Sequence, residues 1–136
     1  MLDYGSVQEL QYLGMVINET LRKYPPTAVA PRTCTREYTF PGMYYEGHGH
    51  TVIRVHQYLP PGTGLTIPAG TEVHIPINGF HSDESIYPDP HLFDPERFGR
   101  EAAAERHPLA FMPFSHGPRN CIGVTFALLL AKGIIH

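Results

Sequence analysis

The stretch that decides the fold is the loop Phe114-Ser115-His116-Gly117-Pro118-Arg119-Asn120-Cys121-Ile122-Gly123. It is rich in turn residues and leads into an apolar helix, which we expect to begin near Ile122 and to run to His136. At Cys121 the loop ends and the helix starts, so free backbone N–H groups and the helix dipole favour an anion there. Arg119 adds a positive charge two residues away. A thiolate at Cys121 suits a soft metal or haem iron, although composition alone favours a buried structural cysteine.

The spacing of the loop makes the reading more specific. Phe114, Gly117, Arg119, Cys121 and Gly123 resemble, position by position, the haem-binding loop of the cytochrome P450 monooxygenases. The resemblance implies that Cys121 is the proximal thiolate ligand of haem b (iron protoporphyrin IX), that Phe114 packs beside it and that Gly117 allows the turn. It also implies that Arg119 pairs with a haem propionate and that Gly123 lets the following helix approach the porphyrin.

A second pattern lies near the start of the chain, where apolar residues recur at steps of three and four from Val7 to Tyr24. This period predicts a helix with one buried face. Ser6 and Glu9 fit a capping box at its start, and Pro25-Pro26 ends it because proline cannot donate to the helix ladder.

Glu19 and Arg22 share a face of that helix, since they are three residues apart. On an arbitrary helix this would be a solvated pair of little energetic value. Here it resembles the E-x-x-R motif of the same family, in which an arginine of a P-E-R-F segment completes the group. That arginine corresponds to Arg97 in Pro95-Glu96-Arg97-Phe98. One carboxylate can accept from two guanidinium groups, so the resemblance implies a structural trio rather than a catalytic one.

Two further residues are candidates for the edge of the haem. Arg32, in Pro31-Arg32-Thr33-Cys34, stands where members of the family often place an arginine against a propionate. His81 is a weaker candidate, because a lone histidine is more often simply hydrogen-bonded. The pair His48 and His50 lacks a further ligand at suitable spacing, and we interpret it as incidental.

The rest of the chain predicts little regular structure. Thr35–Phe40 and Glu72–Ile77 are strand candidates, and Pro68-Ala69-Gly70 predicts a tight turn. Pro76 indicates either that the second strand lies at the edge of a sheet or that the strand ends there. Residues 78–106 mix aromatics with turn formers, so they can be ordered only if the aromatics dock elsewhere. The expected fold class is mainly α with small β (α+β), as the C-terminal portion of the cytochrome P450 fold.

Composition limits the alternatives. The 136 residues carry a formal net charge of −3 and no basic patch, which argues against a nucleic-acid partner. The longest apolar run, Val124 to Ala131, is too short to cross a bilayer. Two cysteines are too few for a disulfide scaffold. A redox or zinc protein using Cys34 and Cys121 lacks histidines at ligand spacing.

The resemblance extends from about Tyr12 to Lys132 and is nearest to animal microsomal members of the xenobiotic-metabolising insect type. It implies an intact enzyme that uses O2 and electrons from NADPH-cytochrome reductase to oxidise apolar small molecules at the endoplasmic reticulum. We expect residues 1–136 to be a partial domain, the C-terminal third, without the oxygen-activating helix and the N-terminal membrane anchor, and inactive alone. The alternative is a non-catalytic truncated or pseudogene product that binds haem weakly or not at all.

One segment, Met43 to Gly62, fits the family poorly. Without it, Phe40-Pro41-Gly42 joins Thr63-Gly64-Leu65 in an uninterrupted family sequence, and a Pro-Gly step stands on both sides. Our hypothesis is a retained intron that is translated. A genuine insertion there would be a surface excursion between two strands.

Overall fold

The structure, a computed structural model, describes residues 10–40 and 64–135. The chain divides into two compact units, one made of Met1–Ala28 and Pro76–His136 and the other of Val29–Ile75. Described residues of the first unit form helices and irregular chain, whereas those of the second form strands and turns. The predicted capping box, the histidine pair at 48 and 50 and the segment 43–62 lie outside the described residues.

The first helix, α1, spans Gln11–Lys23 and confirms the helix predicted from the apolar period. It begins later than expected, because Leu10 has a non-helical ψ of 77°. It ends just before the two prolines, where the Tyr24 amide donates to the Thr20 carbonyl at 2.8 Å. The buried residues of α1 are Ile17, Glu19 and Arg22, so its inner face carries charge as well as apolar surface.

The second unit contains four described strands in two small sheets: β1 (Val29–Thr33) pairs with β4 (Glu72–Pro76), and β2 (Tyr38–Phe40) pairs antiparallel with β3 (Leu65–Ile67). In the second sheet Thr39 lies opposite Thr66, and their hydroxyls are 2.8 Å apart. The strand predicted at 72–77 is confirmed and ends at Pro76, while only the last three residues of the one predicted at 35–40 are extended. β1 and β3 are not among the strands predicted from the sequence.

The tight turn before β4 is present as expected. The Thr71 amide donates to the Pro68 carbonyl at 3.3 Å, and Gly70 has a φ of 86°. A positive φ at the third residue of such a turn requires glycine or a residue that tolerates left-handed backbone. The Gly70 amide also donates to the Cys34 carbonyl at 2.8 Å, which joins the turn to the segment after β1.

The larger part of the first unit follows β4. Its elements are α2 (Ile77–His81), a 3-10 turn at Pro95–Phe98, α3 (Arg100–Glu105), a 3-10 turn at Pro108–Ala110 and α4 (Val124–Ile135). The aromatic-rich segment between α2 and α3 is ordered because Tyr87 is fully buried and its hydroxyl donates to the Ala110 carbonyl at 3.2 Å. Ile17 and Ile77 complete the apolar core of this unit. In the described part of the chain, no helix is both long and apolar enough to span a bilayer.

Candidate functional site

A buried charge cluster, formed by Glu19, Arg22 and Arg97, lies beneath the segment that follows α2. Arg22 donates through Nε to Glu19 Oε2 at 2.7 Å and through Nη2 to Glu19 Oε1 at 2.8 Å, a two-pronged pair. Both side chains are almost completely inaccessible to solvent. The structure therefore does not place Glu19 and Arg22 as a solvated surface pair. The remaining Arg22 donors bond the carbonyls of His81 at 2.7 Å and Pro90 at 2.8 Å.

Arg97 joins this cluster more loosely. Its Nε lies 3.8 Å from Glu19 Oε1 and 3.9 Å from Asp94 Oδ2, and it is buried without a hydrogen-bond partner among the described residues. Its Nη2 donates to the Asp89 carbonyl at 3.0 Å, while the Asp94 amide donates to Glu19 Oε1 at 3.0 Å. The structure thus brings all three predicted residues together: Glu19 accepts hydrogen bonds from Arg22 and is within ion-pair distance of Arg97.

The electrostatics of Glu19 match this arrangement. Burial by itself raises the pKa of the carboxyl group. The hydrogen bonds from Arg22 and from the Asp94 amide, together with the charges of Arg22 and Arg97, outweigh burial and hold the pKa below its usual value. Glu19 is therefore ionised at neutral pH, and its charge is matched by two guanidinium groups.

His81, the last residue of α2, is completely buried. Its side chain has no exposed surface, its Nδ1 lies 3.2 Å from the Arg22 carbonyl, and its Nε2 accepts from the Met112 amide at 3.1 Å. Both ring nitrogens are thus bonded to backbone groups of the protein. The structure thus places His81 as a buried, internally hydrogen-bonded residue, and its contact with the cofactor stays a prediction. Burial lowers the pKa of His81 to about 4, so the ring is neutral at physiological pH.

Sequence reasoning missed a cationic and aromatic stack beside the cluster. The Arg22 and Arg106 guanidinium carbons lie 5.2 and 4.5 Å from the centre of the Tyr87 ring. Arg106 also lies 5.2 Å from the Phe98 ring, and Phe98 packs on Phe111 at 4.7 Å. Burial raises the pKa of Tyr87 to about 12. The available signal was the density of aromatics between residues 87 and 111, but their partners are distant in sequence.

The Cys121 loop, defined as residues 111–123, joins the second 3-10 turn to α4. The Cys121 amide donates to the Phe114 carbonyl at 3.0 Å, and the Asn120 amide donates to the Gly117 carbonyl at 3.1 Å. Ser115 and Gly117 have φ values of 63° and 87°. These two left-handed residues turn the backbone so that Phe114 and Cys121 meet. A positive φ is more readily adopted by glycine than by serine, so Ser115 holds a backbone conformation that is unfavourable for its side chain.

The thiol of Cys121 is free and exposed, so the structure does not support a buried structural cysteine. A Cβ added at Gly123 would lie 3.9 Å from Cys121 Sγ, so glycine leaves space directly beside the sulfur. Ile122 has a relative exposure of 105%. Phe126, Leu130 and Ile134 follow at four-residue steps on α4 and are also exposed. α4 therefore carries a row of exposed apolar side chains immediately after Cys121 in the sequence.

The two arginines predicted to pair with the propionates lie in different parts of the chain. Arg119 is exposed in the Cys121 loop, within the first unit. Arg32 lies on β1, within the second unit, and its Nη1 donates to the Pro31 carbonyl at 2.8 Å. Both assignments remain predictions.

The chemistry of these donors fits a haem better than a bare metal ion. Among the described residues, no group of three or more histidine, cysteine, aspartate or glutamate side chains is placed to hold a metal. A haem brings four nitrogen ligands of its own, so it needs only one strong donor from the protein, and the free, exposed Cys121 can supply that donor. The zinc alternative has no such support within these residues.

Comparison with known proteins identifies the family. The sequence model of the family described as cytochrome P450 matches residues 2–59 and 61–136. The chain belongs to the cytochrome P450 family. It is 38% identical over 132 residues to cytochrome P450 6l1 of Blattella germanica and 40% identical over 136 residues to probable cytochrome P450 6a13 of Drosophila melanogaster. It is also 37% identical over 134 residues to cytochrome P450 4F11 of Homo sapiens.

These three alignments cover 97 to 99% of this chain but only 22 to 24% of the relatives. The chain therefore spans less than a quarter of the length of these cytochrome P450 proteins. Membership confirms the predicted family, and members of the family use haem as their cofactor. The mixture of helices and small sheets agrees with the expected α+β class.

Proposed function

We propose that this chain is the haem-ligating, C-terminal portion of a cytochrome P450 monooxygenase, with Cys121 as the proximal ligand of haem iron. The observation that carries the proposal is the free, exposed Cys121, whose backbone amide donates a hydrogen bond to the Phe114 carbonyl and beside whose sulfur Gly123 places no side chain. When bound, a haem with a thiolate ligand supplies oxygen-activating redox chemistry, which the electron-rich sulfur favours.

The protein's own residues would hold and orient that group. Cys121 supplies the sulfur donor from the loop, three residues before α4 begins at Val124. Phe114 packs beside it, Gly117 makes the turn through its left-handed φ, and Gly123 keeps the space beside the sulfur free. Arg119 and Arg32 are proposed to pair with the propionates, because a guanidinium group matches the geometry of a carboxylate.

The buried charge cluster has a structural role in this proposal. Glu19 and Arg22 bond the backbone on both sides of the aromatic segment, at His81, Pro90 and Asp94. These bonds fix α2 and the irregular chain that follows it to α1. Arg97 attaches the 3-10 turn to the same carboxylate. The cluster is therefore proposed to hold in place the part of the first unit that precedes the Cys121 loop, without contacting the cofactor.

The activity of the whole protein is part of the same proposal. It comprises reduction by NADPH-cytochrome reductase, oxidation of apolar small molecules such as xenobiotics, and residence at the endoplasmic reticulum membrane. The names of the relatives support the family but state no substrate. The exposed apolar surface of α4 supports covering by further polypeptide or by the cofactor.

We also propose that the segment 43–62 does not belong to the family's domain. The support is in the sequence, because removing the segment joins Phe40-Pro41-Gly42 to Thr63-Gly64-Leu65 in a continuous family-like stretch. The match of the family model does not add to this support, since its first range runs to residue 59. Transcript sequencing across Gly42 and Thr63 tests the retained-intron hypothesis. A mature, fully spliced transcript that still encodes Met43 to Gly62 would contradict it.

The test of the ligand is spectroscopic. The chain is incubated with ferric haem, reduced and exposed to carbon monoxide, and its absorbance is compared with that of Cys121→Ser and Cys34→Ser. We expect a thiolate-type Soret band in the parent and in Cys34→Ser, and its loss in Cys121→Ser. A thiolate-type band that survives in Cys121→Ser refutes the assignment, and haem refused by the parent chain supports the non-catalytic alternative instead.

A further inference from the structure

We infer that His81 is a positioning residue that holds the start of the Cys121 loop against the buried charge cluster. The inference rests on the proposed function for the role of Cys121, but the contacts of His81 stand independently of it. No contact with haem is involved.

The two ring nitrogens of His81 bond different parts of the first unit. The Met112 amide can only donate, so Nε2 must be the unprotonated nitrogen that accepts from it at 3.1 Å. The proton of the neutral ring is then on Nδ1, which donates to the Arg22 carbonyl at 3.2 Å. In return, Arg22 Nη1 donates to the His81 carbonyl at 2.7 Å. One side of the ring is therefore fixed to α1 and the other to the Cys121 loop.

Packing prevents the ring from rotating away. His81 stacks on Phe111 with the ring centres 5.3 Å apart and the planes at 28°, and it meets Tyr87 edge-on at 6.5 Å. The side chain has no exposed surface. Water cannot readily replace it as the partner of the Met112 amide, so losing the ring acceptor leaves that amide unsatisfied.

From Met112 the connection to the sulfur runs through the backbone. The Met112 carbonyl accepts from the Ser115 amide at 3.0 Å, closing the turn that contains the left-handed Ser115. Phe114, inside that turn, accepts from the Cys121 amide at 3.0 Å. A displacement at Met112 therefore reaches Cys121 through two hydrogen bonds.

A matched pair of variants separates the two halves of the ring. In His81→Gln the side-chain oxygen can reach the Nε2 position and accept from Met112, whereas in His81→Asn the amide nitrogen can take only the Nδ1 position and donate to Arg22. Hydrogen exchange of the Met112 amide reports the loop bond. The Tyr87 amide, which donates to the Asp83 carbonyl at 2.8 Å, reports whether the unit is folded. The carbon monoxide complex of the haem-loaded chain reports ligation by sulfur.

We expect His81→Asn to exchange the Met112 amide roughly fivefold faster or more, with Tyr87 protected and the thiolate-type band reduced. His81→Gln should restore both readouts. The inference is overturned if a folded His81→Asn variant exchanges the Met112 amide at the same rate as the parent chain. It is also overturned if the His81→Gln variant leaves the Met112 amide unprotected, whether or not that variant is folded. If the parent chain gives no thiolate-type band, the proposed function fails, while the exchange rates still decide whether His81 anchors the loop.

Discussion

The replacement Glu19→Ala tests most severely whether the buried charge cluster holds the first unit together. It removes the carboxylate that accepts two hydrogen bonds from Arg22, at 2.7 and 2.8 Å, and one from the backbone amide of Asp94, at 3.0 Å. The Arg22 side chain is only 1% exposed, so its charge would stay buried with carbonyl oxygens alone as partners. Breaking such a pair from one side costs about 3–5 kcal/mol, a large part of the stability of a domain.

The assay is urea unfolding followed by circular dichroism, with Glu105→Ala as the control because Glu105 is exposed at the end of α3. We expect the control to change the free energy of unfolding by no more than about 0.5 kcal/mol. Glu19→Gln, which keeps an acceptor but loses the charge, should fall between them at about 2 kcal/mol. If Glu19→Ala and Glu105→Ala unfold at the same urea concentration, the structural role of the cluster is wrong.

Three further perturbations address separate parts of the first unit. The free energy of unfolding should fall by about 3 kcal/mol as pH drops from 6.5 to about 4, because His81 binds a proton in that range in the unfolded chain but not in the folded one. When the free energy of unfolding is measured against pH, the His81→Gln variant should not show this fall. Gly117→Ala should destabilise the protein by roughly 1–2 kcal/mol because of the left-handed φ at that position. Gly133→Ala should stabilise it, because Gly133 is helical and an added Cβ meets no neighbouring atom at either position. Melting temperatures that shift in the same direction for both variants would count against this. Tyr87→Phe should lower the free energy of unfolding by about 1 kcal/mol, because it removes the hydrogen bond to the Ala110 carbonyl but keeps the ring that stacks on the arginines. An equal loss of stability in Tyr87→Leu, measured by urea unfolding, would show that the stacking adds nothing.

Local rules in the sequence were sufficient for several features. The end of α1 follows from Pro25-Pro26, the turn before β4 from Pro68 and Gly70, and the end of β4 from Pro76. The E-x-x-R spacing placed Glu19 and Arg22 on one face, and that face is buried. Each of these features depends on residues only a few positions apart, so the local sequence is enough to predict it.

The features that were missed depend on distant partners. Strands β1 and β3 are short and have little period, so their pairing with β4 and β2 decides their conformation. The position of His81 depends on Met112, thirty-one residues away, and the stack of Tyr87 depends on Arg106. No local pattern marks His81 as a buried residue that is hydrogen-bonded through both ring nitrogens.

The bond between Cys121 sulfur and haem iron is the central claim, and X-ray absorption at the iron edge of the haem-loaded chain tests it most directly. We predict one sulfur scatterer in the first coordination shell of the parent chain and of Cys34→Ser, and none in Cys121→Ser. A first shell of nitrogen and oxygen alone in the parent chain would contradict the account.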